Sequence, residues 1–234
     1  MSFERVKKRF FPYLLIIIFF MFTWLIKELQ LLMNADMLGT YLLETNRLAY
    51  NYFDNLMFAF MYLPLYLLFE YMLWHENYQV VVRFGSRTRY LRSQTISLLR
   101  STFLFWIVFV FFGVLPLIAL PGPDQGIFIY LFVVQTAAYF LISLEFGLVL
   151  FWLFQLLPKL HLMLFLILAA LPIMYFSYSS GSMNLFQTID LLKQYYFMHD
   201  LTALPMPTLI TLVAVPILTL CVRVLWIQHE EFWQ

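Results

Sequence analysis

The feature that most constrains this chain is a series of apolar runs, each near the length a helix needs to cross a bilayer. A hydrocarbon core about 30 Å thick takes about 20 helical residues. Runs of that kind cover residues 10–26, 54–74, 101–120, 126–157, 160–178 and 207–227. The third closes on Pro121-Gly122-Pro123, and the fourth is long enough to tilt or protrude. Composition agrees with this reading. Of 234 residues 63% are apolar and 12% charged, against roughly 45–50% and 25% in a soluble domain. Polar groups could not cover such a surface, which excludes a soluble enzyme and a disordered tail. We expect an all-α membrane protein: one domain over residues 1–234, built as a six-helix transmembrane bundle.

Charge sets the expected orientation. Arg5, Lys7, Lys8 and Arg9 precede the first run, and Arg83, Arg87, Arg89, Arg92 and Arg100 lie between the second and third. Lys159 and Arg223 fall on the same side, leaving only Lys27, Arg47 and Lys193 for the other. The positive-inside rule then puts both termini in the cytoplasm. The basic start followed by an apolar run resembles a signal peptide. No small-residue cleavage site follows it, so an uncleaved first helix is expected.

Several functions are excluded directly. A net charge of +1 offers nothing to nucleic acid. Cys221 is the single cysteine, so neither an internal disulfide nor a cysteine-based metal site is available. His75-Glu76 and His229-Glu230-Glu231 lack a second histidine four residues on, as an H-E-x-x-H metal site requires. No serine stands in a Gly-x-Ser-x-Gly setting. The seven glycines are scattered and no Gly-Lys-Ser/Thr occurs, so the chain has no P-loop of its own.

The polar material is unevenly spent. Between the second and third runs, Tyr78 to Phe84 forms a short apolar stretch that Gly85 breaks. Ser86 is suited to cap a helix starting at Arg87, on which Tyr90, Leu91, Thr95, Leu98 and Leu99 share a face. Two short helices with a glycine joint are therefore expected, with their arginines in the cytoplasm. Such a basic pair serves topology and binds anionic lipid head groups, and it also suits docking of a cytoplasmic partner. On the outer side, Leu185, Ile189, Leu192 and Tyr196 recur at helical spacing before the last run, which predicts a short amphipathic helix at the interface.

Together these features resemble the permease subunit of an ABC-2 type ABC exporter, and most closely the small permeases of bacterial peptide and antimicrobial exporters. The resemblance covers the whole chain. It rests on the basic entry Glu4 to Phe10, on Arg83-Phe84-Gly85-Ser86-Arg87 in the coupling position, on the segment Leu185 to Leu201, and on the charged tail. It implies six spans, a cytoplasmic coupling helix between the second and third, and short outer helices before the sixth. It also implies an ATP-binding subunit, carrying ATP and Mg, docked against Tyr78, Arg83, Phe84, Gly85, Ser86, Arg87, Tyr90 and Leu91. A second permease, identical or related, would complete a path for an amphipathic peptide or lipid-like substrate in the cell membrane. The chain itself is then a transport subunit, without cofactor or catalytic residue. The alternative is an ATP-independent substrate-capture or immunity protein.

Within the runs, ionisable side chains are expensive and mark candidate sites. Glu145 is the clearest, deep in the fourth run, and is expected to be protonated or paired across helices, as a path residue or a structural carboxyl. Glu70 lies four residues before Trp74 and is expected to reach the interface. Pro64, Pro116, Pro172 and Pro216 each interrupt a run and are read as packing features. The abundant aromatics are read as lipid-facing and core surface.

Overall fold

A computed structural model describes residues 3–27, 52, 54–77, 87–119, 125–156, 160–177, 191, 210 and 213–222. All regular structure among them is helical. In chain order the elements are α1 (Phe3–Lys27), α2 (Asn55–Met57), a π-turn (Phe58–Tyr62), α3 (Leu63–Asn77), α4 (Arg87–Ala119), α5 (Gln125–Leu156), α6 (Leu160–Ser177) and α7 (Val213–Val222). Three helical stretches are long and apolar enough to cross a membrane: Asn55–Leu73, Arg92–Leu115 and Gly126–Leu153. Shorter apolar helices cover Phe11–Ile26 and Val213–Val222. The protein is a helical membrane protein.

The second run starts as its first residue dictates. The Asp54 side chain accepts from the Leu56 amide at 2.9 Å, and its carbonyl takes the Phe58 amide at 3.0 Å. An aspartate in that position satisfies donors the first turn leaves free. Four residues on, the helix widens. The Leu63 amide reaches back to the Phe58 carbonyl, five residues away, just before Pro64. Proline brings no amide and crowds the carbonyl four residues earlier, so the turn ahead of it opens instead of closing.

The largest departure from expectation is α4. The expected short helix after Arg87 and the expected span from 101 are one continuous helix of 33 residues. At 1.5 Å per residue it is about 50 Å long, some 20 Å more than the hydrocarbon it crosses. Neither glycine nor proline occurs between Arg87 and Phe112, so nothing interrupts it. The Ser101 and Thr102 hydroxyls bond back to the Ser97 and Leu98 carbonyls of their own helix. Of the face expected to be shared, Leu98 is buried and Tyr90 and Thr95 are partly so, whereas Leu99 is exposed; Gln94, Ser101 and Phe105 complete the buried side. Tyr78, Arg83, Phe84, Gly85 and Ser86, and the segment 185–201 apart from the buried Leu191, lie outside the described residues.

Aromatic side chains knit α1, α3, α4 and α5 together. Lipid is as apolar as leucine, so helices gain from association only what close packing and internal hydrogen bonds supply. Phe20 of α1 meets Tyr62, Phe105 and Phe109 with centroids 5.2–5.7 Å apart. Phe58 stacks on Tyr139 at 4.1 Å and 4°, and Tyr52 on Phe109 at 4.7 Å and 8°. The opposite face of α1 presents Leu14, Ile17, Ile18, Phe22 and Leu25 outward, as a helix bordering lipid does.

Two glycines let the helices approach. A Cβ at Gly113 would lie 2.5 Å from Phe132 Cζ and 3.1 Å from the Tyr52 ring. One at Gly147 would lie 2.5 Å from Tyr66 Oη, which Thr102 already holds at 2.8 Å. Alanine gains about 1 kcal/mol over glycine in helix propensity, but overpacking costs about 1–3 kcal/mol. Gly147→Ala should therefore lower the thermal midpoint in detergent. In a Tyr66→Phe background, where the obstructing oxygen is gone and only Leu98 Cδ1 at 3.0 Å remains tight, the same substitution should lower it less. Equal effects in both backgrounds would refute this packing.

Candidate functional site

Two intramembrane carboxyl groups organise the polar residues of the structure, and they sit in different surroundings. The first belongs to a column of polar side chains along α2, the π-turn and α3. Asn55, Tyr62, Tyr66 and Glu70 follow one another at spacings of seven, four and four residues, and all are buried. This is a single inward face.

Each level of the column is tied to a neighbouring helix. Nearest Asp54, Tyr139 Oη donates to Asn55 Oδ1 at 2.7 Å, while Gln135 Nε2 donates to Tyr139 Oη at 2.7 Å. Next, Tyr62 Oη donates to the Tyr52 carbonyl, and Tyr52 Oη to the Phe109 carbonyl, both at 3.0 Å. Then Tyr66 Oη donates to Thr102 Oγ1 at 2.8 Å, since Thr102 gives its own proton to the Leu98 carbonyl. At the fourth level stands Glu70.

Glu70 does not reach the interface. It is 1% exposed, and its position in α3 turns it toward α4. Ser101 is a polar neighbour of its carboxyl. Its Oε1 has no hydrogen-bond partner among the described residues. The same holds for Gln94 Oε1 and Ser143 Oγ, both buried. The expectation that Glu70 would extend to the head groups fails because its helical face, shared with Tyr62 and Tyr66, points to the centre. Reach along the chain does not help a side chain facing inward. The signal that could have found it was in the sequence: three polar residues at positions 62, 66 and 70 of an otherwise apolar run.

The second carboxyl is Glu145 of α5, partly buried near the side of the bundle. Thr219 Oγ1 of α7 donates to Glu145 Oε1 at 2.8 Å, linking residues 74 positions apart. Glu145 Oε2 is buried without a hydrogen-bond partner among the described residues. Next to this clasp a cleft of about 250 Å³ opens between α5 and α7, lined by Leu148, Trp152, Val215, Leu218, Thr219 and Val222. Sequence reasoning singled out Glu145, but Thr219 carries no signal of its own in an apolar run.

Of the coupling-position residues, Arg87, Tyr90 and Leu91 lie on the first turns of α4, with Tyr90 half-buried. Arg92 and Arg100, on the same helix, are exposed. No cluster of metal-ligating side chains occurs among the described residues. No family model matches the chain, and neither the curated proteins nor the solved structures include a significant match.

The stability of the Glu70 site can be tested against its chemistry. A buried oxygen without a partner costs about 1–3 kcal/mol. Glu70→Met removes it at similar volume and should raise the thermal midpoint, while Glu70→Gln should leave it close to wild type. A drop in midpoint with methionine would make Glu70 a structural anchor held by bonds to residues outside those described.

Proposed function

We propose that the chain is the membrane-spanning permease subunit of an ATP-driven exporter of the ABC-2 type. In this reading it crosses the cell membrane six times, keeps both ends in the cytoplasm, and pairs with a second permease. An ATP-binding subunit, carrying ATP and Mg, supplies the energy. The cargo is an amphipathic peptide or lipid-like molecule, and membrane lipids contact the outer faces.

The observation that carries the proposal is the continuity of α4. From Arg87 on, the basic stretch that follows the expected glycine joint is not hinged to the third span but is one continuous helix with it. Arg92 and Arg100 are exposed on it, while Gln94, Leu98, Ser101 and Thr102 on its other face enter the packed centre. A push on the cytoplasmic end of such a helix moves residues beside Glu70 and Tyr66 directly, with no loop to absorb it. Transmission of that kind is what a permease needs from an ATPase beneath it.

The reading also gives the two inward carboxyls a place. Charged side chains in membrane segments are costly and concentrate along substrate and ion pathways. Glu145 beside an open cleft and Glu70 in the closed centre are suited to the lateral and axial parts of such a pathway.

Crosslinking tests the proposal. In a Cys221→Ser background, Tyr90→Cys and Arg92→Cys in the complex isolated from its native membrane should each crosslink to a subunit that a photoreactive ATP analogue also labels. Arg92→Glu should cut ATP-driven export about tenfold while leaving the amount of chain in the membrane unchanged. Free reaction of both cysteines with a soluble maleimide, with no nucleotide-labelled neighbour, would remove the exporter reading. A tightly retained small molecule in place of an ATPase would support ATP-independent capture.

A further inference from the structure

Glu70 stands where an ionised carboxylate has nothing to hold it. Its side chain is 1% exposed, and Oε1 has no hydrogen-bond partner among the described residues. Ser101 of α4 is its polar neighbour. That hydroxyl has one proton, which the Ser97 and Leu98 carbonyls hold at 2.9 and 3.0 Å. Toward the carboxyl, Ser101 therefore presents lone pairs. Two acceptors side by side repel unless a proton lies between them, and the carboxyl is the group that can bring one.

No positive charge among the described side chains takes that place. Arg92 and Arg100 of α4 are exposed. Tyr13 of α1 packs edge-on against Phe69, the residue before Glu70, with centroids 5.2 Å apart. Tyr66, one turn back on α3, is engaged with Thr102, and Glu145 of α5 with Thr219. Arg9 lies one turn before Tyr13, and His161 in the first turn of α6. The helices α3 and α4 run antiparallel, with Tyr62 against Phe109 and Tyr66 against Thr102. Gln94, two turns from Ser101 on the same face of α4, therefore stands beyond Glu70 toward the Asn77 end of α3. It is buried, and its Oε1 is a second acceptor without a donor among the described residues.

We propose that Glu70 is a proton-binding site coupled to the position of α4: the packed arrangement holds a proton on its carboxyl, and separation of α4 from α3 releases it. On release the O–H bond breaks, its electron pair stays on the carboxylate, and the proton passes to water entering past Gln94. Re-binding reverses each step. The coupling is reciprocal, so a falling proton concentration favours the separated arrangement. The continuity of α4 gives the proton its role, because Ser101 and the basic end share one helix and a shift at either is felt at the other. The inference goes beyond the permease reading and does not depend on it.

Two measurements on the full chain in phosphatidylcholine nanodiscs test it. The first uses a Glu145→Gln background, which removes the other carboxyl described within the helices. Infrared spectra at about pH 7 should show a carboxylic-acid C=O stretch that Glu70→Gln abolishes. The second places Leu98→Cys, at a site 2% exposed beside Ser101, in a Cys221→Ser background. Its rate of reaction with a water-soluble methanethiosulfonate reports water reaching the seam between α3 and α4. Dividing that rate by the rate in Glu70→Gln cancels the titration of the thiol itself. The ratio should rise about tenfold between about pH 6 and about pH 9. If the glutamine variant does not insert, Glu70→Met serves in both measurements, since it too has no proton to release. No acid band in the parent, a band that survives loss of Glu70, or a flat ratio would each overturn the proposal. A pH dependence carried by Tyr13, Arg9 or His161 would appear in both chains and leave the ratio flat.

Discussion

Helices in lipid receive no reward for hiding apolar surface from one another, because the tails they leave are equally apolar. What holds this bundle together is therefore close packing and the hydrogen bonds that cannot be made elsewhere. Both meet at Tyr66. Its hydroxyl bonds to Thr102 of α4 and occupies the space that a side chain at Gly147 of α5 would need. Remove either condition and α3 can no longer sit in the groove between the two long helices. The stacked pairs Phe58–Tyr139 and Tyr52–Phe109 repeat the arrangement at other levels, with Gly113 giving Tyr52 its room. Aromatic stacking of this kind contributes about 0.5–1.5 kcal/mol per pair beyond area, the same order as an inter-helix hydrogen bond in a membrane. Neither alone would fix the register. Ring planes and hydroxyl positions together do, because a one-residue slide would break both.

The same constraint explains how much of the architecture was legible in advance. Apolar runs and their ends are readable because lipid enforces them, and Asp54 at the start of a helix is readable because a free first turn requires a cap. The helix described from Arg87 onward was readable from its apolar face. The continuation of that helix through residues 100 and 101 was not, since charge density changes sharply there while the backbone does not. A break was inferred from solvent preference, yet neither glycine nor proline stands between Arg87 and Phe112 to enforce one.

Facing was the harder part. Glu70 was assigned to the interface from its distance to Trp74, which measures depth and says nothing of direction. Tyr62 and Tyr66 on the same stripe carry the directional information, and only the packing of α4 against that stripe turns it into burial. Thr219 illustrates the opposite limit. A single threonine in an apolar helix is usually self-satisfied by its own backbone, as Thr102 and Thr136 partly are here. Its role as the partner of Glu145 depends on how α7 is placed against α5, which no local pattern encodes.

The two carboxyls then differ in the respect that matters for function. Glu70 is sealed among tyrosines and α4, so any change in its environment must come from a movement of the helices around it. Glu145 is partly exposed at the side of the bundle and tied to α7 by Thr219. One is coupled to the shape of the centre and the other to the seam between α5 and α7. They are not isolated from each other: Gly147, two residues beyond Glu145, is the position that Tyr66 presses against, and Tyr66 lies one turn from Glu70. A molecule that displaces α5 by a few tenths of an ångström at the cleft therefore bears on the Tyr66–Thr102 bond, and through it on the carboxyl at the centre. Contiguous, close-packed contacts are the physical route by which occupancy at one site can bias shape at another.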